Sequence, residues 1–133
     1  MKVEALDHIN IITDRLDETA AFYADLLDLD RRDAPPPLTP QNAQWMYDSA
    51  DRAIIHINST DCPRAYDRDV PQGALTGALH HVALRLQGYD EVKARLDQQG
   101  ADYKLNLVEA IGLRQIFTAD PNNVLLELNF FGE

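Results

Sequence analysis

His8, His81 and Glu127 are the side chains of this sequence best suited to chemistry. Two imidazoles and a carboxylate, each from a different segment, match a divalent transition metal that keeps open coordination positions. Strand alternation can put all three on one side. Ile9 and Ile11 oppose His8 and Asn10; Val82, Leu84 and Leu86 oppose His81, Ala83 and Arg85. In the last strand Leu126, Leu128 and Phe130 oppose Leu125, Glu127 and Asn129, and His80 takes the apolar, helix-facing side. Glu127 stands between Val124-Leu125-Leu126 and Leu128, so its carboxylate must be paired, protonated or metal-bound. A metal-free reading of the same residues is two satisfied histidines and a Glu127 salt-bridged to Arg85 or Arg114.

An internal repeat supplies the elements that would position them. Leu6-Asp7-His8-Ile9-Asn10-Ile11 matches Leu79-His80-His81-Val82-Ala83-Leu84 at an offset of 73. Asp17-Glu18 falls on Asp90-Glu91 at the same offset, each opening a helical pattern. Ile54-Ile55-His56-Ile57-Asn58 matches Leu125-Leu126-Glu127-Leu128-Asn129 at an offset of 71. Two halves therefore begin and finish alike.

Each half reads as strand, helix, then strands. Residues 6–12 and 79–86 alternate as strands. Leu16, Ala20, Tyr23 and Leu27 form a helical stripe, widened by Phe22, Leu26 and Leu29. In the second helix Tyr89, Val92 and Leu96 face inward and Lys93, Arg95 and Asp97 outward, with Gly100 as the stop. Strands are expected at residues 44–48, 53–58, 114–118 and 124–130. Asp120-Pro121-Asn122-Asn123 is a turn, with Pro at its second place and Asn tolerating positive φ. Pro35-Pro36-Pro37 and Pro40 mark a stiff loop after the first helix, and residues 59–78, with Pro63, Pro71, Gly73 and Gly77, connect the halves. Neither half can bury both faces of its sheet alone. One domain over residues 1–133 is expected, with modules at about 1–60 and 79–133.

Composition removes several classes of function. The 133 residues are 45% hydrophobic, enough for an ordinary core. Cys62 is the single cysteine, so an intrachain disulfide or a thiolate cluster is ruled out, and Cys62 itself receives no role. A net charge of −10 disfavours nucleic acid as a partner. No apolar run approaches the ~20 residues that span a bilayer. Met-Lys-Val-Glu-Ala-Leu-Asp has charges where a signal peptide needs apolar residues, so a cytoplasmic protein is expected.

These motifs resemble the vicinal oxygen chelate superfamily of glyoxalases, bleomycin- and fosfomycin-resistance proteins, extradiol dioxygenases and an epimerase. The resemblance rests on Asp7-His8-Ile9-Asn10-Ile11, on Ala21-Phe22-Tyr23 and Leu26-Leu27-Asp28-Leu29, on His80-His81-Val82-Ala83-Leu84, and on the run from Asp120 to Leu128. It implies an α+β fold of two tandem βαβββ modules. They would form a curved mixed sheet with a concave metal-binding cleft and helices outside. It also implies one divalent ion (Fe, Ni, Zn or Mn) on His8, His81 and Glu127. His56 occupies the place of a fourth ligand, where glyoxalases carry Glu, and is either a ligand or a substrate contact. The two-module length implies a homodimer.

The chemistry implied is chelation of a small substrate through adjacent oxygens. Glu127 would shuttle a proton in a glyoxalase-like lyase or isomerase reaction, and His56 would be an acid/base neighbour in an Fe(II) dioxygenase. A drug-binding protein of the same fold is the non-catalytic alternative. Asn10, Trp45, Tyr47, Arg114, Gln115 and Phe117 are the expected substrate-binding residues, although alternation lets only one of Arg114 and Gln115 face the cleft.

Overall fold

The computed structural model describes residues 1–69, 73 and 75–133, and the chain divides into two compact units, Met1–Gln72 and Gly73–Glu133. Pro71, assigned to the connection, lies outside the described residues.

The first unit contains β1 (Ile9–Thr13), α1 (Leu16–Leu27), β2 (Asp30–Asp33), β3 (Ala43–Tyr47) and β4 (Ala53–Ser59). Its sheet order is β1-β4-β3-β2, with β1 parallel to β4 and the other pairs antiparallel. Asp17 and Glu18 place negative charge in the first turn of α1, where the helix dipole favours it. The helix buries Leu16, Thr19, Ala20, Tyr23 and Leu26 and packs on β3 and β4. Ile11, Met46, Ile55 and Ile57 are buried with it. Leu27 and Phe22 are only half-buried, because Thr19 and Leu26 occupy the centre of the stripe.

The second unit repeats this plan. It contains β5 (Val82–Arg85), α2 (Tyr89–Gln98), β6 (Tyr103–Val108), a 3₁₀ turn (Glu109–Ile111), β7 (Leu113–Ala119) and β8 (Leu125–Phe131). The order β5-β8-β7-β6 has the same parallel and antiparallel pairs. Register repeats too: Asn10 pairs with His56 as Ala83 pairs with Glu127, and Trp45 faces His56 as Phe117 faces Glu127. Even the hairpins agree. Asp48 Oδ1 accepts from the N–H groups of Ala50 and Arg52, and Asp120 Oδ1 from those of Asn122 and Val124. Asp51 and Asn123 take the positive φ.

Helix α2 ends in a Schellman motif: Gly100 (φ 64°) donates to Asp97 O and Ala101 to Leu96 O. Its start is capped from the far end of the unit. Glu133 Oε1 accepts from Gly88 N and Tyr89 N at 2.9 and 3.1 Å. Glu133→Ala should therefore lower unfolding free energy by about 1 kcal/mol in a urea titration. An unchanged midpoint would mean that solvent serves those N–H groups equally well.

The two tandem modules each form a four-stranded mixed sheet, in keeping with the expected α+β fold. Other features depart from the sequence reading. β1 and β5 start at Ile9 and Val82, where pairing with Ile55 and Leu126 begins, so His8 and His81 sit just ahead of the strands. Alternation consequently does not govern His80, which is exposed and contacts His81 instead of facing the helix. Finally, the charged β2 intervenes between α1 and the proline loop.

Candidate functional site

In the first unit the face of the sheet away from α1 gathers an aromatic stack. The His8 ring lies 3.8 Å from that of His56, and the Trp45 indole covers the other side of His56 at 3.9 Å. Both arrangements are near-parallel, with interplanar angles of 13° and 7°. Asp7 Oδ2 sits 2.5 Å from His8 Nδ1, which orients the ring and leaves Nε2 as its open donor. Asn10 is on the same face, giving its Nδ2 hydrogen to Asn58 Oδ1. Tyr47 lies beneath the Arg32 guanidinium, 4.0 Å from its ring centre.

Burial, and then the nearby His8, lower the His56 pKa from 6.5 to about 4. A proton thus binds this ring less readily in the folded chain than in the unfolded one. The sign follows: the penalty is absent above the unfolded value, grows as pH falls from 6.5 towards 4, and is constant below. Nuclear magnetic resonance titration of metal-free protein should show a histidine with its midpoint near 4, moving upward in His8→Ala. A His56 midpoint near 6.5 would mean that the stack does not exclude water from the ring.

The second unit presents a polar cluster at the matching place. His81 Nε2 lies 3.0 Å from Glu127 Oε2, and the other ring nitrogen, Nδ1, lies 3.0 Å from His80 Nδ1. Residues 7 and 80 are equivalents in the repeat, so His8 and His81 each have Nδ1 engaged by the residue before it. Glu127 Oε1 accepts from Gln115 Nε2 and Asn129 Nδ2 at 2.8 and 2.9 Å. The carboxylate is thus paired, with amides and an imidazole instead of Arg85 or Arg114. Arg85 lies over the Phe131 ring. Phe117, half-buried, is directly across the ladder from Glu127.

Arg114 leaves the substrate-binding set. Its guanidinium stacks 3.5 Å from the Tyr89 ring centre on the helix side of the sheet, because its parity follows Ile116 and not Gln115. Gln115 faces Glu127, yet both of its N–H groups and its carbonyl are engaged by neighbouring side chains. Asp7 and Asn129 were not singled out from sequence. Asn129 had a signal, since Asn58 and Asn129 stand two residues beyond His56 and Glu127 in both halves.

Each unit therefore brings two of the four candidate donors together, His8 with His56 and His81 with Glu127. Among the described residues no three His, Cys, Asp or Glu side chains form a ready metal cage. The donors nonetheless fit a divalent ion. Imidazole nitrogen and carboxylate oxygen suit Fe, Ni, Zn and Mn. The 3.0 Å between His81 Nε2 and Glu127 Oε2 is the spacing of neighbouring octahedral corners at bond lengths of about 2.1 Å.

A family model described as the Glyoxalase/Bleomycin resistance protein/Dioxygenase superfamily matches residues 5–128. The chain belongs to this superfamily. It is 23% identical over 130 residues to "Glyoxylase I 4" of Arabidopsis thaliana, covering 96% of this chain and 71% of that protein. The fold matches lactoylglutathione lyase from Agrobacterium tumefaciens with a TM-score of 0.66, at 16% identity over 98% of this chain and 96% of that one. It also matches a mutant of the fosfomycin resistance protein FosX from Listeria monocytogenes, with a TM-score of 0.67 at 20% identity. That match covers 98% of this chain and 94% of the Listeria chain, which was solved with Mn(II) and 1S,2S-dihydroxypropylphosphonic acid. No described helix is long and apolar enough to cross a membrane.

Proposed function

We propose that this superfamily member is a divalent-metal-dependent enzyme acting on a small substrate with adjacent oxygens, in a glyoxalase-like lyase or isomerase reaction. The main support is the ordering of donor atoms in the second unit. Glu127 Oε1 is held by two amides, His81 Nδ1 meets His80, and the remaining atoms, Oε2 and Nε2, face each other at 3.0 Å.

His8, His81 and Glu127 would hold the ion, with His56 as a fourth ligand or a substrate contact. A bound divalent ion supplies Lewis acidity to two adjacent substrate oxygens. Glu127 Oε2 would take a proton from carbon next to a carbonyl and return it. Trp45 and Phe117, opposite His56 and Glu127 in their ladders, supply apolar walls, with Asn10 and Tyr47 on the same face as Trp45.

Elemental analysis tests the ligand set. Wild-type protein should carry one divalent ion per chain, and His8→Ala, His81→Ala and Glu127→Gln should each lose it. Full retention in any two of these would overturn the assignment. The same preparation should scatter light as a homodimer of about twice the 15.0 kDa chain mass.

A further inference from the structure

We propose that Gln115 is a positioning residue: its buried amide pins Glu127 Oε1, so that Oε2 is the oxygen presented for metal binding and proton transfer. The proposal rests on the metal reading above and names what makes one carboxylate oxygen the working one.

Gln115 is 8% exposed, and its polar atoms are committed. Nε2 donates to Glu127 Oε1 at 2.8 Å and to Asn129 Oδ1 at 3.0 Å, while Oε1 accepts from Asn106 Nδ2 at 2.7 Å. Asn129 adds a second donor to Glu127 Oε1 at 2.9 Å. A glutamate carboxylate turns in a broad two-fold well, so on its own it offers either oxygen. Two amide donors on Oε1 remove that freedom and leave Oε2 to His81 Nε2.

The repeat separates this role from a general need of the fold. Gln115 pairs with Asn129 as Ala43 pairs with Asn58, so the equivalent place in the first unit holds alanine. There the candidate donor is His56, which has no second oxygen to restrain. The clamp occurs in the half that carries a carboxylate. With no free N–H, Gln115 serves Glu127 instead of the substrate.

Gln115→Met keeps length and burial but removes the donors. Titration with Co(II) should show binding weakened about 10- to 100-fold. The visible Co(II) spectrum should change as well, which a loss of stability alone would not produce. Unchanged affinity and spectrum would overturn the proposal. Should Gln115→Met fail to fold, Asn106→Ala tests the same clamp from the exposed edge strand, with a several-fold loss of affinity expected and an unchanged affinity counting against it. In metal-free protein the Gln115 side-chain amide protons should exchange slowly and shift in Glu127→Ala. If they ignore that substitution, the clamp is wrong and the metal reading stands. If wild-type protein binds no Co(II), the metal reading falls, and the role of Gln115 in metal binding falls with it.

Discussion

Glu127→Gln is expected to lower kcat by at least about 10²- to 10⁴-fold, the usual contribution of a positioned acid or base, because the ion is lost as well, with the fold intact. The replacement is nearly isosteric, so packing beside Leu126 and Leu128 survives. Its orientation is what fails. Gln115 Nε2 and Asn129 Nδ2 both donate towards the Oε1 position, so the new side chain must turn its carbonyl to them. Its –NH₂ then points at His81, putting a donor where a proton acceptor and ligand is needed. The hemithioacetal of methylglyoxal and glutathione is the substrate to test first, beside a catechol panel with Fe(II) under air. Turnover within threefold of wild type would remove Glu127 from the chemistry. Catechol turnover with oxygen uptake, and none of the hemithioacetal, would make the dioxygenase reading correct. Tight binding of a drug with no turnover of either would end the enzyme reading.

Much of this arrangement was legible because the fold is duplicated, and its most periodic strands carry His56 and Glu127 or begin directly after His8 and His81. Offsets of 73 and 71 anticipate the shared register in which Asn10 faces His56 and Ala83 faces Glu127. Two helical stripes and the Asp120 turn were equally readable, since each rests on local periodicity or local hydrogen bonding. The edge strand β2 was not. Asp30-Arg31-Arg32-Asp33 has no apolar phase, because an edge strand rich in charge resists pairing with another chain. In β6, Leu105 and Leu107 alternate but remain exposed, at 49% and 57%.

The candidate site failed to be legible where tertiary pairing decides direction. Parity alone separates Arg114 from Gln115, but only the Phe117–Glu127 pairing tells which of them accompanies the carboxylate. Strand alternation gives His80 the helix side only if the strand continues past its ladder. Where the ladder ends, neighbouring side chains orient a residue, and here that neighbour is His81. The stacking of His56 between His8 and Trp45 is of the same kind. It joins β3, β4 and the residue just ahead of β1, and no local pattern announces it.

Phe130→Ala should cost about 3–5 kcal/mol of stability, in the range for removing a large aromatic from a core. Phe130 is fully buried and meets Tyr89 edge-on, with ring centres 5.4 Å apart. The Arg114 guanidinium covers the same tyrosine, so strand β8, helix α2 and strand β7 share one cluster of side chains. An aromatic pair contributes about 0.5–1.5 kcal/mol beyond the area it buries, so the void left by alanine also loosens Tyr89. A domain of this size has only about 5–15 kcal/mol in total, so about a fifth or more of its margin would go. Phe131→Ala is the matched control. Alternation turns that ring to the other face, where it is 39% exposed and touched by Arg85, and its loss should cost about 1 kcal/mol or less. Urea unfolding of both variants decides the matter. Equal shifts would mean that β8 does not keep its face assignment in solution, and the direction given to Glu127, three residues earlier on the same strand, would fall with it.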